Sequence, residues 1–181
     1  YAGEHHVMAT LPGMRERTIT ISSLSKTFSC TGWRLGYAVA PAKQTSAIRK
    51  VHDFLTVGAP APLQASGAIG FTFDADYFNR LAQDYKARLN ILAPVLREVG
   101  FEFALPEGAY YLFADFSKIS KKGDVAFAKW LIEEVGVATV PGSGFYHKKE
   151  DGRTFVRFAF CKKFETMKRA AERLADLPKL M

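Results

Sequence analysis

Residues 22–37 read Ser-Ser-Leu-Ser-Lys-Thr-Phe-Ser-Cys-Thr-Gly-Trp-Arg-Leu-Gly-Tyr and place one lysine among small hydroxyl side chains. The alternating, β-branched residues 17–22 predict a strand that ends here. Lys26 is therefore expected in the loop after a buried strand, where loss of solvent favours the neutral amine that Schiff-base chemistry with an aldehyde requires. Arg34 follows eight positions later, and its planar guanidinium suits an anion such as phosphate.

The neighbours of Lys26 distinguish it from an ordinary solvated loop lysine, which is the alternative interpretation. Serine hydroxyls can donate hydrogen bonds to a ligand, and glycines let the backbone approach one closely. The residues of these two kinds are Ser22, Ser23, Ser25, Gly32 and Gly36. Few loops need all of them for structure alone, so the stretch is a candidate anion site beside a reactive amine.

The composition is that of a globular chain. With 181 residues, 48% of them apolar, it can bury one sizeable core or two small ones. The net charge of +7 is spread over polar helix faces with acids between, so nucleic-acid binding is not expected. We expect no membrane contact and a cytoplasmic location, because the chain has neither an apolar run of about 18 residues nor a signal-peptide pattern.

The cysteines and histidines predict no further site. Cys30 and Cys161 lie far apart without metal-ligand or redox spacing, so both are expected to be reduced. No metal site is expected, and four histidines are predicted at the surface: His5, His6, His52 and His147. The chain starts at Tyr1 in mid-pattern, which suggests a piece of a longer protein.

The remaining pattern predicts helices first and then a mixed α/β segment. Three helices are expected from Pro41 to about residue 57, at 62–71 and at 76–99, the last kinked at Pro94. The first of them has an apolar face formed by Ala47, Ile48, Val51, Phe54 and Leu55. Beyond Gly100 we expect strands at 101–104, 110–116, 137–140 and 154–161 and helices at 124–135 and 164–177. This β-β-α-β-β-α order indicates a compact sheet with helices on one face.

The stretch Ser23-Leu24-Ser25-Lys26, with Ser29, Gly32, Arg34 and Gly36 after it, resembles the lysine signature of class I and II aminotransferases, the pyridoxal-phosphate enzymes of fold type I. Residues 11–18 are similar to the segment leading into that signature, and Cys30 is a conservative departure from it. The resemblance implies that Lys26 binds the aldehyde of pyridoxal 5'-phosphate covalently and moves a proton at the substrate Cα. It also implies that Ser23 and Arg34 hold the cofactor phosphate.

Three features of the second half resemble the same family. The segments 106–111 and 140–145, ordinary turns when taken alone, look like small-domain loops near the substrate, which makes Tyr110 and Gly144 candidate pocket residues. Arg157 interrupts an apolar strand, and from the strand alone it could equally lie on a solvated face. The resemblance implies that Arg157 binds the substrate α-carboxylate through two parallel hydrogen bonds.

The resemblance implies an α/β fold in which residues 1–76 are the C-terminal part of the large cofactor-binding domain. Residues 77–181 would be a linking helix and an α+β small C-terminal domain. The implied function is amino transfer between an amino acid and a 2-oxo acid in a homodimer. The alternatives are lyase or synthase chemistry with the same cofactor and a non-catalytic fragment, and the substrate pair is open.

Several family elements are missing from this chain: the Gly-rich phosphate turn, the aromatic residue that stacks on the cofactor ring, and the Asn and Asp-x-x-Tyr elements. The Asp is needed to keep the cofactor's pyridine nitrogen protonated. Taken alone, the chain is therefore expected to be close to inactive.

Overall fold

A computed structural model describes residues 1–180, which divide into two compact units. The first, here called the lysine unit, is Glu4–Leu81 and contains Lys26. The second, the arginine unit, comprises Tyr1–Gly3 and the chain from Ala82 onward, and contains Arg157. The expected assignment of these regions to a large and a small domain stays a prediction.

The lysine unit contains a two-stranded antiparallel sheet and helices. Strands β1 (Thr20–Ser23) and β2 (Gly36–Val39) pair so that Ser23 lies opposite Gly36. The helices are α1 (Leu24–Thr27), α2 (Ala42–Thr56), α3 (Ala61–Gly70) and the first part of α4 (Ala75–Glu98). Short 3₁₀ turns lie at Met8–Thr10, Arg15–Arg17 and Thr31–Trp33.

The expected setting of Lys26 is wrong in two respects. Lys26 lies in helix α1 rather than in a loop, and strand β1 is largely exposed, with Ile21 79% accessible. The helix begins at once because the Ser23 side chain accepts a hydrogen bond from the Ser25 N–H at 3.1 Å, which is an N-cap. The strand stays exposed because a hairpin of two four-residue strands buries little surface by itself.

Helix α3 packs closely against the residues on both sides of Lys26, as its small residues predict. A Cβ on Gly67 would lie 2.7 Å from Leu24 Cδ1, and one on Gly70 would lie 2.8 Å from the ring of Phe28. The Phe28 ring is further surrounded by four aromatic rings, those of Phe71, Phe73, Tyr77 and Phe78. The Tyr77 hydroxyl also donates a hydrogen bond to Thr27 O at 2.6 Å. These contacts anchor the segment that carries the lysine.

Helix α2 forms where it is expected, but its apolar face is not buried. Phe54 is 94% exposed and Leu55 75% exposed. No residue of α2 is buried in the structure of residues 1–180. The periodicity therefore predicts the helix correctly. The lysine unit, however, contains no surface that covers the apolar face of this helix.

The arginine unit packs a three-stranded antiparallel sheet against helices. The strands, in the order β3-β5-β4, are β3 (Tyr111–Asp115), β4 (Val140–Pro141) and β5 (Phe155–Ala159). The helices are the later part of α4, α5 (Asp124–Trp130) with a π-helical turn at Leu131–Val135, and α6 (Phe164–Ala175). The 3₁₀ turns are Gly142–Phe145, Lys149–Gly152 and Leu177–Lys179.

One face of this sheet carries the core of the unit. Alternate strand residues are buried there, namely Leu112, Ala114, Val156 and Phe158. They join buried residues of the helices in a single cluster, among them Leu92, Leu96, Phe127, Leu131, Met167 and Leu174. This alternation leaves Arg157 on the opposite face of the sheet.

All four strands expected beyond Gly100 are shorter than the pattern predicts, and two of them are largely absent. The segment 101–104 forms only one bridge, between Glu102 and Asp115. The strand expected at 137–140 is reduced to Val140–Pro141. Gly136 has a left-handed φ of 71°, and the N–H of Val137 donates to Leu131 O at 3.0 Å, so these residues finish the helical turn first.

The long helix α4 agrees with its predicted range to within one residue at each end. Pro94 lies inside it, as expected, and the kink predicted there stays a prediction. Among residues 1–180 no helix combines the length and the apolar character that crossing a membrane requires.

Candidate active site

The amine of Lys26 is tied to the turn that carries Arg34. Lys26 Nζ donates a hydrogen bond to Thr31 Oγ1 at 3.1 Å, and that hydroxyl donates to Ser25 O at 3.0 Å. Arg34 Nη1 donates to Thr31 O at 3.2 Å. Thr31 therefore connects both cations to one turn, although the sequence alone does not single it out.

The serines of the signature hold the backbone around the lysine. Ser23 Oγ lies 2.7 Å from Ser25 Oγ and 3.2 Å from Leu35 O, in addition to capping α1. Arg34 has left-handed backbone angles, φ 56° and ψ 40°, which are uncommon for a residue other than glycine. Such a conformation costs on the order of 1 kcal/mol and persists only where the surroundings hold it. Here it brings the Arg34 side chain back over its own turn.

The lysine segment fits a phosphorylated aldehyde. Lys26 supplies a primary amine, and Arg34 is exposed and uses one nitrogen in its bond to Thr31 O, so other N–H groups remain for a phosphate. No acidic residue occurs between Glu16 and Asp53 to oppose an anion. This set of side chains suits pyridoxal phosphate, which carries an aldehyde and a phosphate.

Arg157 lies in the middle of β5 between two aromatic rings. Its Cζ is 4.1 Å from the ring centroid of Tyr111 and 4.7 Å from that of Phe145, which is cation–π geometry. Arg157 Nε is buried without a hydrogen-bond partner, and no ion pair within residues 1–180 involves this residue. The guanidinium is thus held in place while a buried donor lacks an acceptor, which is what a carboxylate would supply.

The turn Gly142–Phe145 brings one of these rings to Arg157. Gly142 and Gly152 cross so closely that a Cβ on either would lie 2.5 Å from the other's carbonyl oxygen. Buried Asp124 accepts a hydrogen bond from the N–H of Ser143 at 2.8 Å. Phe145 then packs edge-on against Phe113, with 5.7 Å between the ring centroids.

The pKa of Asp124 reflects this position. Burial is the largest single influence and raises the pKa, but the hydrogen bonds from the Ser143 hydroxyl and from backbone N–H groups together outweigh it. The pKa of Asp124 is therefore lowered from its ordinary value. The ionised carboxylate is the form that stabilises the turn.

The candidate pocket residues Tyr110 and Gly144 are sequence neighbours of the residues that contact Arg157 and do not form those contacts themselves. The Tyr110 ring stacks on Tyr85 with 5.9 Å between centroids. The pKa of Tyr110 is raised to about 12, with a hydrogen bond to Tyr111 as the largest cause and burial as the second. Gly144 is exposed, and a Cβ added there would meet nothing within 4 Å. Their neighbours Tyr111 and Phe145 contact Arg157, and the roles of Tyr110 and Gly144 stay predictions.

Comparison with known proteins identifies the class. The family described as aminotransferase class I and II matches residues 2–174. Kynurenine–oxoglutarate transaminase of Dictyostelium discoideum is 38% identical over 97% of this chain and 45% of its own length. Methionine aminotransferase of Escherichia coli strain K12 is also 38% identical, over 96% of this chain and 45% of its own length.

Solved structures agree. An Escherichia coli protein whose crystal structure and reactivity identified a methionine aminotransferase function has a TM-score of 0.87 at 37% identity, covering 95% of this chain and 45% of that one. N-Succinyldiaminopimelate aminotransferase from Mycobacterium tuberculosis has a TM-score of 0.88 at 35% identity, covering 98% and 46%. The chain belongs to the class I and II aminotransferase family.

The chain spans about 45% of the length of the curated relatives it matches. The family, its mixed α/β fold and its membership among transferases are thereby confirmed. The expectation that this chain is the C-terminal part of such a protein stays a prediction.

Proposed function

We propose that this chain belongs to a pyridoxal-phosphate-dependent aminotransferase that moves an amino group between an amino acid and a 2-oxo acid. The observation that carries the proposal is the Lys26–Thr31–Arg34 turn, in which a primary amine and a guanidinium are bound to the same threonine. Family membership supports it. An exposed lysine in an arbitrary loop would not need this arrangement.

Each residue has a task in that reaction. When bound, pyridoxal phosphate supplies an electron sink for the bonds at the substrate Cα. Arg34 and Ser23 would hold the phosphate, and the amine of Lys26 would bind the aldehyde with loss of water. Once the substrate amine takes its place at that carbon, the released Lys26 amine can carry a proton at Cα. Arg157 holds the α-carboxylate between the rings of Tyr111 and Phe145, which fixes the direction of the Cα–H bond.

We further propose an uncharged, apolar or aromatic amino donor. The sheet face that carries Arg157 is aromatic: Phe113 stacks on Phe155 with 5.0 Å between centroids, and Phe145 and Tyr146 pack against Phe113. The kynurenine and methionine specificities in the names of two relatives agree with such a donor. A negatively charged side chain would meet no second cation within this aromatic group.

We also propose that this chain is the C-terminal part of one subunit of a cytoplasmic homodimer. The order of the elements supports the first point, because the lysine signature lies near residue 26 and the family elements missing from the chain precede that lysine in the family.

The test is an amino-transfer assay of the natural gene product that contains this chain. Methionine, kynurenine, phenylalanine and aspartate are offered with 2-oxoglutarate, and glutamate is measured. We expect glutamate from the first three donors and its loss in Lys26→Ala. If cofactor binds at Lys26 but no donor yields glutamate, lyase or synthase chemistry on this fold replaces the proposal. If no cofactor binds, the non-catalytic alternative holds.

A further inference from the structure

We propose that the arginine unit contains a second ligand site, between helix α6 and the segment after α5, which binds a small monocarboxylate with an apolar tail. Arg157 does not line this cavity, and neither do the aromatic residues around it. The proposal therefore does not depend on the function proposed for Lys26 and Arg157.

The cavity has a volume of about 290 Å³, just below the range of about 300–1,000 Å³ for small-molecule pockets. Its floor is formed by Leu92, Phe158 and Met167, which are all buried. Small residues line the walls and leave the space open: Gly136, Ala138, Ala159 and Ala170. The interior can therefore accept a short apolar group.

The space exists because the β4–β5 ladder is short. The strands pair only at Val140 with Arg157 and Pro141 with Val156. Continuing that antiparallel register would set Ala138 opposite Ala159, but the ladder ends before it and both residues line the cavity instead. The cavity thus lies where a regular strand is expected from the sequence.

The charge around the cavity is of one sign. Its lining includes the cations Lys162, Arg169 and Arg173 and no acidic residue. Arg173 Nη1 donates to Gly136 O at 2.8 Å, which fixes its guanidinium at the wall. Within residues 1–180 none of the three forms an ion pair. Three cations around one cavity repel each other, and an anion would relieve that repulsion.

The two halves of the lining specify the chemistry of the ligand. The cations and the hydroxyl of Thr166 suit a carboxylate, which can accept a bidentate bond from an arginine. The buried floor excludes a fully hydrated anion such as sulfate as the best ligand, because burial of apolar surface would contribute nothing to its binding. A monocarboxylate of the size of octanoate meets both conditions.

The test is equilibrium dialysis of radiolabelled octanoate against the full 181-residue chain, with 1-octanol and sodium sulfate as competitors. We expect saturable binding of one octanoate with a Kd on the order of 1 mM. Neither competitor should displace it at equal concentration. No saturable binding, or displacement by octanol or sulfate as effective as by unlabelled octanoate, would overturn the proposal.

Variants locate the bound octanoate. Lys162→Gln combined with Arg169→Gln removes two exposed charges and should weaken binding about tenfold, since a charge-assisted hydrogen bond contributes on that order. Ala138→Leu should abolish binding by filling the space. Phe54→Ser with Leu55→Ser removes the most exposed apolar residues of α2 and should leave binding unchanged. If the Phe54→Ser, Leu55→Ser variant lost binding while the other two variants kept it, the octanoate would be bound at the α2 surface and the site would be refuted.

Discussion

The surroundings of Arg157 hold its guanidinium in place and leave its buried Nε without an acceptor. Most arginines of a sheet face are solvated, yet this one is half-buried between Tyr111 and Phe145, with its Nε unpartnered. Cation–π contacts hold the guanidinium without using its in-plane N–H groups. Those groups remain available for a carboxylate.

Replacing Arg157 by Lys should therefore affect substrate binding most. A lysine keeps the charge but loses the planar pair of donors. We expect KM for the amino donor in the natural gene product to rise about tenfold or more, with a smaller change in kcat. Arg153→Lys, at a nearby exposed arginine, is the matched control and should leave KM unchanged. Equal effects of the two substitutions would contradict the role of Arg157.

Thr31 provides a second prediction at this scale. Thr31→Val removes the hydroxyl that accepts from Lys26 Nζ, while Thr31→Ser keeps it. We expect the valine variant to bind pyridoxal phosphate several-fold more weakly, by about the value of one hydrogen bond, and the serine variant to restore binding. Cofactor titration followed by absorbance measures this. A valine variant with native affinity would show that the hydroxyl has no part in the site.

At the scale of elements, the sequence predicts well where periodicity is strong and poorly where it depends on tertiary partners. The regular spacing of apolar residues defines α4 almost to the residue. The strand at 137–140 is shortened because Gly136 and Val137 end a helical turn. The spacing of apolar residues does not indicate where that turn ends. The contact of Tyr111 with Arg157 is not predicted, because the register of β3 is not visible in the sequence and a shift of one residue exchanges the two faces of a strand.

The turn Gly142–Phe145 depends on Asp124, and the free energy of unfolding of Asp124 variants tests this. In Asp124→Ala the partly buried N–H of Ser143 loses its acceptor, and we expect a loss of about 1–3 kcal/mol in the free energy of unfolding at pH 7. Asp124→Asn keeps an oxygen acceptor and should lose less. Urea denaturation of both variants measures the difference.

The pH dependence of the same contact has a definite sign. Because the pKa of Asp124 is lowered in the folded state, its ionised form stabilises the fold above the unfolded value of about 3.9. This contribution is lost as pH falls through the folded-state pKa. The stability difference between the natural chain and Asp124→Asn should therefore shrink below about pH 4, and a difference that persists there would contradict this account.

At the scale of the whole molecule, the Lys26 cluster lies in one compact unit and the Arg157 cluster in the other. The lysine segment could be recognised from the sequence because Lys26, Arg34 and the serines are close along the chain. Thr31 could not, since a threonine hydroxyl does not reveal its partner. The exposed apolar face of α2 likewise shows that a correct helix prediction does not say what covers the helix.

That face predicts the behaviour of the isolated chain. Val51, Phe54, Leu55 and Val57 are each more than half exposed, and contiguous apolar surface of this kind drives association. We expect the 181-residue chain to form oligomers in light scattering. Phe54→Ser with Leu55→Ser should reduce the apparent mass, while Lys43→Ser, at an exposed polar position of the same helix, should not. A monomer at all concentrations would contradict the prediction.

The central claim is that Lys26 is the residue that binds the cofactor. The most direct measurement is to incubate the 181-residue chain with pyridoxal phosphate, reduce it with borohydride and locate the label by peptide mass spectrometry. We predict label concentrated on Lys26, suppressed by inorganic phosphate that competes for Arg34 and lost in Lys26→Arg. Label spread evenly over the exposed lysines, with Lys26 no more reactive than the others, would contradict the account.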